Sequence, residues 1–203
     1  MNVAITGSCS VGKTTLYEEI IKELPETFFY FDEIKQDEAL KSHKSMIPFH
    51  IQDTFFAYMY SQERILAEQI RQLEWVKEHK VNIFSDGSLI DTLAYMIKGK
   101  ESPYACALSG DAKSSLDILE VISTIVREAE SCFYDYDLLF YIPIEFKHGN
   151  PSKKEILYQW IVDNTIKHLL DVYGIRHHEV SGSVKERKDF IRGVIINFHL
   201  NDR

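Results

Sequence analysis

Gly7-Ser8-Cys9-Ser10-Val11-Gly12-Lys13-Thr14 decides how this chain folds. The stretch satisfies G-x-x-x-x-G-K-[ST] at every fixed position. Glycines let the backbone turn so that successive N–H groups point inward, which makes a cradle for phosphate oxygens. A helix starting near Lys13 aims its positive end at the same anion. Lys13 then reaches β and γ phosphates, and the Thr14 hydroxyl is placed to ligate Mg²⁺. Thr15 supports the α-phosphate or packs. Cys9 fills a permissive position in the loop. At average residue usage such a match arises by chance in about one chain in a hundred of this length. Its setting strengthens it: Val3-Ala4-Ile5 reads as a strand before it, and Leu16, Ile20, Ile21 and Leu24 make an amphipathic helix after it.

Outward from the loop, strand and helix alternate. Strands are expected at Asn2–Ile5, Phe28–Phe31, Val81–Phe84, Leu138–Ile142 and Arg176–Val180. Helices are expected over Lys13–Leu24, from after Pro48 to Lys80, Leu89–Ile97, Ser114–Glu130, Lys153–Tyr173 and Val184–Phe198. Gly174 is a helix stop. The aromatic run Phe28-Phe29-Tyr30-Phe31 reads as a buried strand, and Glu38–Ile47 as an irregular polar loop. The expected fold class is α/β: a doubly wound, mainly parallel five-stranded sheet in one domain over residues 1–203.

The chain has 203 residues, 45% of them hydrophobic and 27% charged, with 9 Gly and 5 Pro. This supports one sizeable core and excludes disordered and collagen-like classes. No apolar run is long enough to span a bilayer. The strand that follows Met1 leaves no room for a signal peptide, and Cys9, Cys106 and Cys132 show no metal or disulfide spacing, so the reading is cytoplasmic. The net charge is −8, which disfavours nucleic acid as a stable partner. His177-His178 would face opposite sides of a strand and cannot share a metal.

In a parallel sheet, ligands sit at the carboxyl ends of strands. Asp32-Glu33 follows the second expected strand, where a carboxylate can hold or deprotonate an attacking hydroxyl. Asp86 follows the third, in Ser85-Asp86-Gly87-Ser88, where it can hold Mg²⁺ or cap a helix. Asp91 reads as a residue on a helix face.

The order of these pieces resembles small P-loop kinases of the nucleoside and nucleotide type, within the branch of AAA-like ATPase domains that includes nicotinamide riboside kinase. The resembling pieces are Gly7–Thr15, Asp32–Lys35, the helix with Tyr60-Ser61-Gln62-Glu63-Arg64, Ser85–Asp91, the strand Leu138–Ile142 and the basic stretch Lys147–Lys154. The resemblance implies a P-loop NTPase (kinase-like) fold, ATP and Mg²⁺ as cofactors, and a nucleoside-like small-molecule substrate. A homodimer is compatible with it. It implies that Glu33 contacts the accepting hydroxyl, aided by Asp32, that Gln62 reads a base or amide edge, and that Asp86 is the acidic residue of an Asp-Arg-Ser-like motif. It further implies that Lys147, Lys153 and Lys154 are lid residues set against the phosphates, and that Arg187 stacks on adenine. Two positions depart from the pattern. Gly87 stands where arginine is expected, and the lid carries lysines, which are point charges without arginine's bidentate fork. Two other functions remain open: a P-loop kinase acting on a modified base or end of phage DNA, and a regulatory ATPase or nucleotide-binding switch.

Overall fold

A computed structural model describes residues 1–31, 54–98, 123–124, 126–145 and 151–201. The expectations for Asp32, Glu33, Glu38–Ile47, Lys147 and the start of the Ser114–Glu130 helix lie outside the described residues. Five strands form one sheet: β1 (Asn2–Thr6), β2 (Phe28–Phe31), β3 (Asn82–Asp86), β4 (Leu138–Tyr141) and β5 (His178–Glu179). Their order is β2-β3-β1-β4-β5, and every pairing is parallel. The helices are α1 (Lys13–Ile21), α2 (Thr54–His79), α3 (Leu89–Lys98), α4 (Lys153–Val172) and α5 (Val184–Asn201).

Side-chain alternation explains why helices cover both faces. On β1, Val3 and Ile5 join Phe84, Leu138 and Phe140 in a core with Leu16 and Ile20 of α1 and Ile191 and Ile195 of α5. Ala4 points the other way, with Leu139 and Tyr141, into a second core made by α2, α3 and α4. A strand buried on both faces needs an apolar run, and β4 and the Val3–Ile5 centre of β1 supply one. The edge strand β2 departs from expectation. Phe28 is buried, but Phe29 is 50% and Tyr30 is 37% exposed. Among the described residues, β2 pairs only with β3. Phe29 rests edge-on against Trp75 at 5.5 Å. Aromatic content marked the strand correctly, but it does not report how many neighbours a strand has.

α4 begins with a capping box between Ser152 and Glu155, and it stops at Gly174, whose φ is 59°. It docks through a buried polar contact: the Tyr141 hydroxyl donates to Asp163 Oδ1 at 2.6 Å, and Asp163 also meets Lys167 at 3.1 Å. Burial, and then the Asp163 carboxylate, push the Tyr141 phenol far above its ordinary pKa. Tyr141→Phe leaves a carboxylate that is 3% exposed without its hydroxyl donor. The expected cost is ~2 kcal/mol, or about 6 °C in melting temperature. A thermal melt matching the parent would refute this.

His177 and His178 behave as structural residues. His178 stacks on Phe140 at 5.4 Å, and His177 meets the Tyr141 ring at 6.1 Å.

Candidate functional site

The loop after β1 carries two left-handed residues, Ser10 at φ 59° and Gly12 at φ 88°. Gly12 is the N-cap of α1 and provides no side chain to cap it. The first-turn amides of α1 therefore face a ligand or water rather than a capping oxygen. Gly7 packs so closely that an added Cβ would lie 2.7 Å from the Ile142 carbonyl oxygen.

Four loop carbonyls are held by side-chain donors. Lys13 Nζ donates to Gly7 O at 2.8 Å and to Ser8 O at 3.0 Å. Gln159 of α4 donates to Cys9 O at 2.7 Å. Arg187 of α5 donates to Val11 O at 3.1 Å and, through its other terminal nitrogen, to Glu145 at 2.9 Å. Glu145 also accepts the Gly182 amide at 3.0 Å. With these carbonyls occupied by donors, they do not compete for the donors of the cleft.

Two carboxylates stand beside the loop. Asp86 ends β3, in register with Ile5, and is 3% exposed. It borders a crevice of about 20 Å³ shared with Gln69, Gln72, Phe31 and Tyr136. Asp91, in the first turn of α3, accepts from the Thr6 hydroxyl, from the Gly7 amide at 3.2 Å and from the Ser88 hydroxyl at 3.2 Å. Its other oxygen lies 4.0 Å from Lys13 Nζ. The Tyr136 hydroxyl accepts the Leu89 amide at 3.0 Å and so steadies the start of α3. Burial drives that phenol well above its ordinary pKa.

A cleft of about 340 Å³ opens over the loop, lined by Cys9, Ser10, Gly12, Lys13, Thr14, Thr15 and Tyr95. That volume suits a small ligand. Thr14 is exposed on the cleft floor, and Asp86 is buried at the neighbouring strand end. One hydroxyl and one carboxylate form the sparse oxygen set that Mg²⁺ takes beside phosphates and water, so these residues fit the ion. Among the described residues, no group of three His, Cys, Asp or Glu side chains could hold a metal by itself.

Cys9, Ser10 and Gly12 through Thr15 line one cleft, whereas Asp86, on the strand paired with β1, borders the separate small crevice and does not line that cleft. Gln62 is buried on α2, on the stripe that carries Leu66, Gln69 and Leu73. Lys153 and Lys154 are exposed in the first turn of α4 and do not line the cleft. Arg187 is 3% exposed, and its guanidinium holds Val11 and Glu145 beneath the loop. The structure therefore gives it a bracing position, where the resemblance had implied adenine stacking. Sequence reasoning missed Asp91, Gln159, Glu145 and Tyr95. Only Asp91 had a local signal: it falls five positions after Asp86, in the first turn of α3.

Fold and loop together define a P-loop protein with the five-stranded 2-3-1-4-5 sheet. The chain belongs to the AAA domain family, whose profile matches residues 2–187. No curated protein matches it. Among solved structures it is similar to deoxyadenosine kinase from M. mycoides with bound dATP. There the identity is 19%, the match covers 96% of this chain and 98% of that one, and the TM-score is 0.63. It is also similar to thymidylate kinase from Candida albicans, at 14% identity, 97% and 91% coverage, and TM-score 0.60. Thymidylate kinase from Ehrlichia chaffeensis matches at 15% identity, 96% and 97% coverage, and TM-score 0.57. At these identities the likeness establishes a shared fold. No helix among the described residues is long and apolar enough to cross a membrane.

Proposed function

We propose that the protein is an ATP-dependent kinase that moves the γ-phosphoryl group onto a small nucleoside- or nucleotide-like acceptor. The observation that carries this is the cleft of about 340 Å³. There an uncapped helix N-terminus and Lys13 line the cavity, and Asp86 ends the strand paired with β1, outside the cleft lining. Phosphoryl transfer asks the protein for positioning and charge neutralisation, and these groups supply both. The fold shared with deoxyadenosine and thymidylate kinases across nearly the whole chain supports the reading. Within it, Thr14 and Asp86 hold Mg²⁺, which when bound neutralises charge on the phosphates. Glu33, with Asp32, meets the accepting hydroxyl, Gln62 reads the acceptor's ring, and Lys147, Lys153 and Lys154 close on the phosphates. The narrower kinship with nicotinamide riboside kinase is part of the proposal.

The test is single-turnover ADP formation with deoxyadenosine, thymidylate, nicotinamide riboside or DNA ends as acceptor. Glu33→Gln should keep ATP affinity and lose transfer about 10²-fold or more. Asp86→Asn should weaken Mg²⁺-dependent steps while sparing metal-free nucleotide binding. ADP formation that no acceptor raises, and that Glu33→Gln leaves unchanged, would overturn the kinase reading in favour of a hydrolytic switch. A response confined to DNA ends would move the acceptor to a polynucleotide.

A further inference from the structure

Lys13 and Asp91 pose a problem that phosphate binding alone does not explain. Both are buried, at 6% and 4% exposure. An ammonium has three protons to donate. Two go to the Gly7 and Ser8 carbonyls at 2.8 and 3.0 Å, and Asp91 Oδ2 lies 4.0 Å away. The cation is thus turned onto its own loop and a neighbouring carboxylate. The same carboxylate accepts the Gly7 amide, one of the loop's donors, together with the Thr6 and Ser88 hydroxyls. A negative charge already occupies ground that phosphate oxygens would otherwise claim.

We propose that Asp91 is a resident counter-anion of the phosphate site, a positioning residue that holds Lys13 and the first loop amide and sets phosphate affinity by competing for the Lys13 charge. This rests on the nucleotide reading above. Burying Lys13 without a partner would be costly, so the carboxylate keeps the loop in its binding shape before ligand arrives. In return, a triphosphate must draw the ammonium away from Asp91, and part of the attraction is lost. A residue that merely shapes the loop makes the opposite prediction, because weakening it would weaken binding.

The experiment measures the ATP dissociation constant, with excess Mg²⁺, for the parent, Asp91→Asn, Lys13→Met and the double variant. Asp91→Asn keeps the side chain's size and its acceptor oxygen but removes the charge. It should bind ATP about tenfold more tightly than the parent. The gain should vanish in the Lys13→Met background, since it acts through Lys13. Unchanged or weaker binding by Asp91→Asn overturns the proposal, as does a gain that survives without Lys13. If Asp91→Asn does not fold, ligand-free melting of Lys13→Met decides. Loss of its cation should lower the melting temperature by about 5 °C, because the buried Asp91 carboxylate keeps its hydrogen-bond donors but loses the neighbouring positive charge. An unchanged or higher value refutes the pairing. A parent that binds no ATP overturns the nucleotide reading itself. A parent that binds ATP, with no gain from Asp91→Asn, overturns only the counter-anion.

Discussion

Lys13→Ala is expected to cut acceptor-dependent ADP formation by at least ~10³-fold while the chain remains folded. The ammonium is the one loop cation within reach of both the Gly7 and Ser8 carbonyls and the cleft. Its service is to charge that develops on the transferring group, so turnover should fall further than nucleotide affinity. The sheet does not depend on it, because both cores are apolar and lie behind the loop. Circular dichroism and ADP release, measured on the same preparation, separate the two effects. Turnover within tenfold of the parent would remove Lys13 from the chemistry.

Gly7→Ala should be nearly as damaging, for a different reason. The new methyl would meet the Ile142 carbonyl oxygen at 2.7 Å and Val11 Cγ2 at 3.1 Å. Ile142 is fixed to the sheet, since its amide donates to Thr6 O at 2.8 Å. The loop must therefore yield. That moves the Gly7 amide off Asp91 and the Gly7 carbonyl off Lys13 together. A displacement near 1 Å costs about 10²-fold in function, and we expect at least that loss in ATP affinity by calorimetry. Gly174→Ala is the comparison. Its φ is also positive, at 59°, but no atom of the described residues lies within 4 Å of the added carbon. It should cost about 1 kcal/mol of stability and leave ATP affinity alone. Equal affinities for Gly7→Ala and the parent would show that the close approach is not what requires glycine.

What was readable in the sequence followed physical range. The phosphate loop is legible because its requirements are local: small residues where φ is positive, a lysine at a fixed offset, a strand before and a helix after. β2 was placed at Phe28–Phe31, where the structure has it, because aromatic residues favour strands. Its exposed face was not readable, because an edge position is a property of strand order. Asp86 was found by the rule of carboxyl ends, which holds for any parallel sheet. The sequence does not mark Asp91, because one carboxylate in a first helical turn is ordinary; the pairing of β1 with β3 brings it to Gly7. The partners of Cys9 and Val11 are 150 and 176 positions along the chain, and no spacing rule reaches that far. Arg187 was singled out for adenine, and its burial against Val11 shows why a residue's type does not fix which side of a loop it serves.

The outer supports of the phosphate loop have a consequence for the order in which the protein is made. The motif lies in the first fifteen residues, yet Gln159 and Arg187 are contributed by the last two helices. The central strand β1 must also wait for β3 and β4 before it has neighbours on either side. On a ribosome, where chains emerge from the N-terminus and fold in units, the glycine loop emerges well before the helices that brace it. A nascent chain ending before α5 has every residue of the motif but lacks the guanidinium beneath Val11. Bracing of the loop thus waits for segments 150 and 176 residues further along the chain, and a product truncated before α5 would carry the whole signature with one of its braces missing.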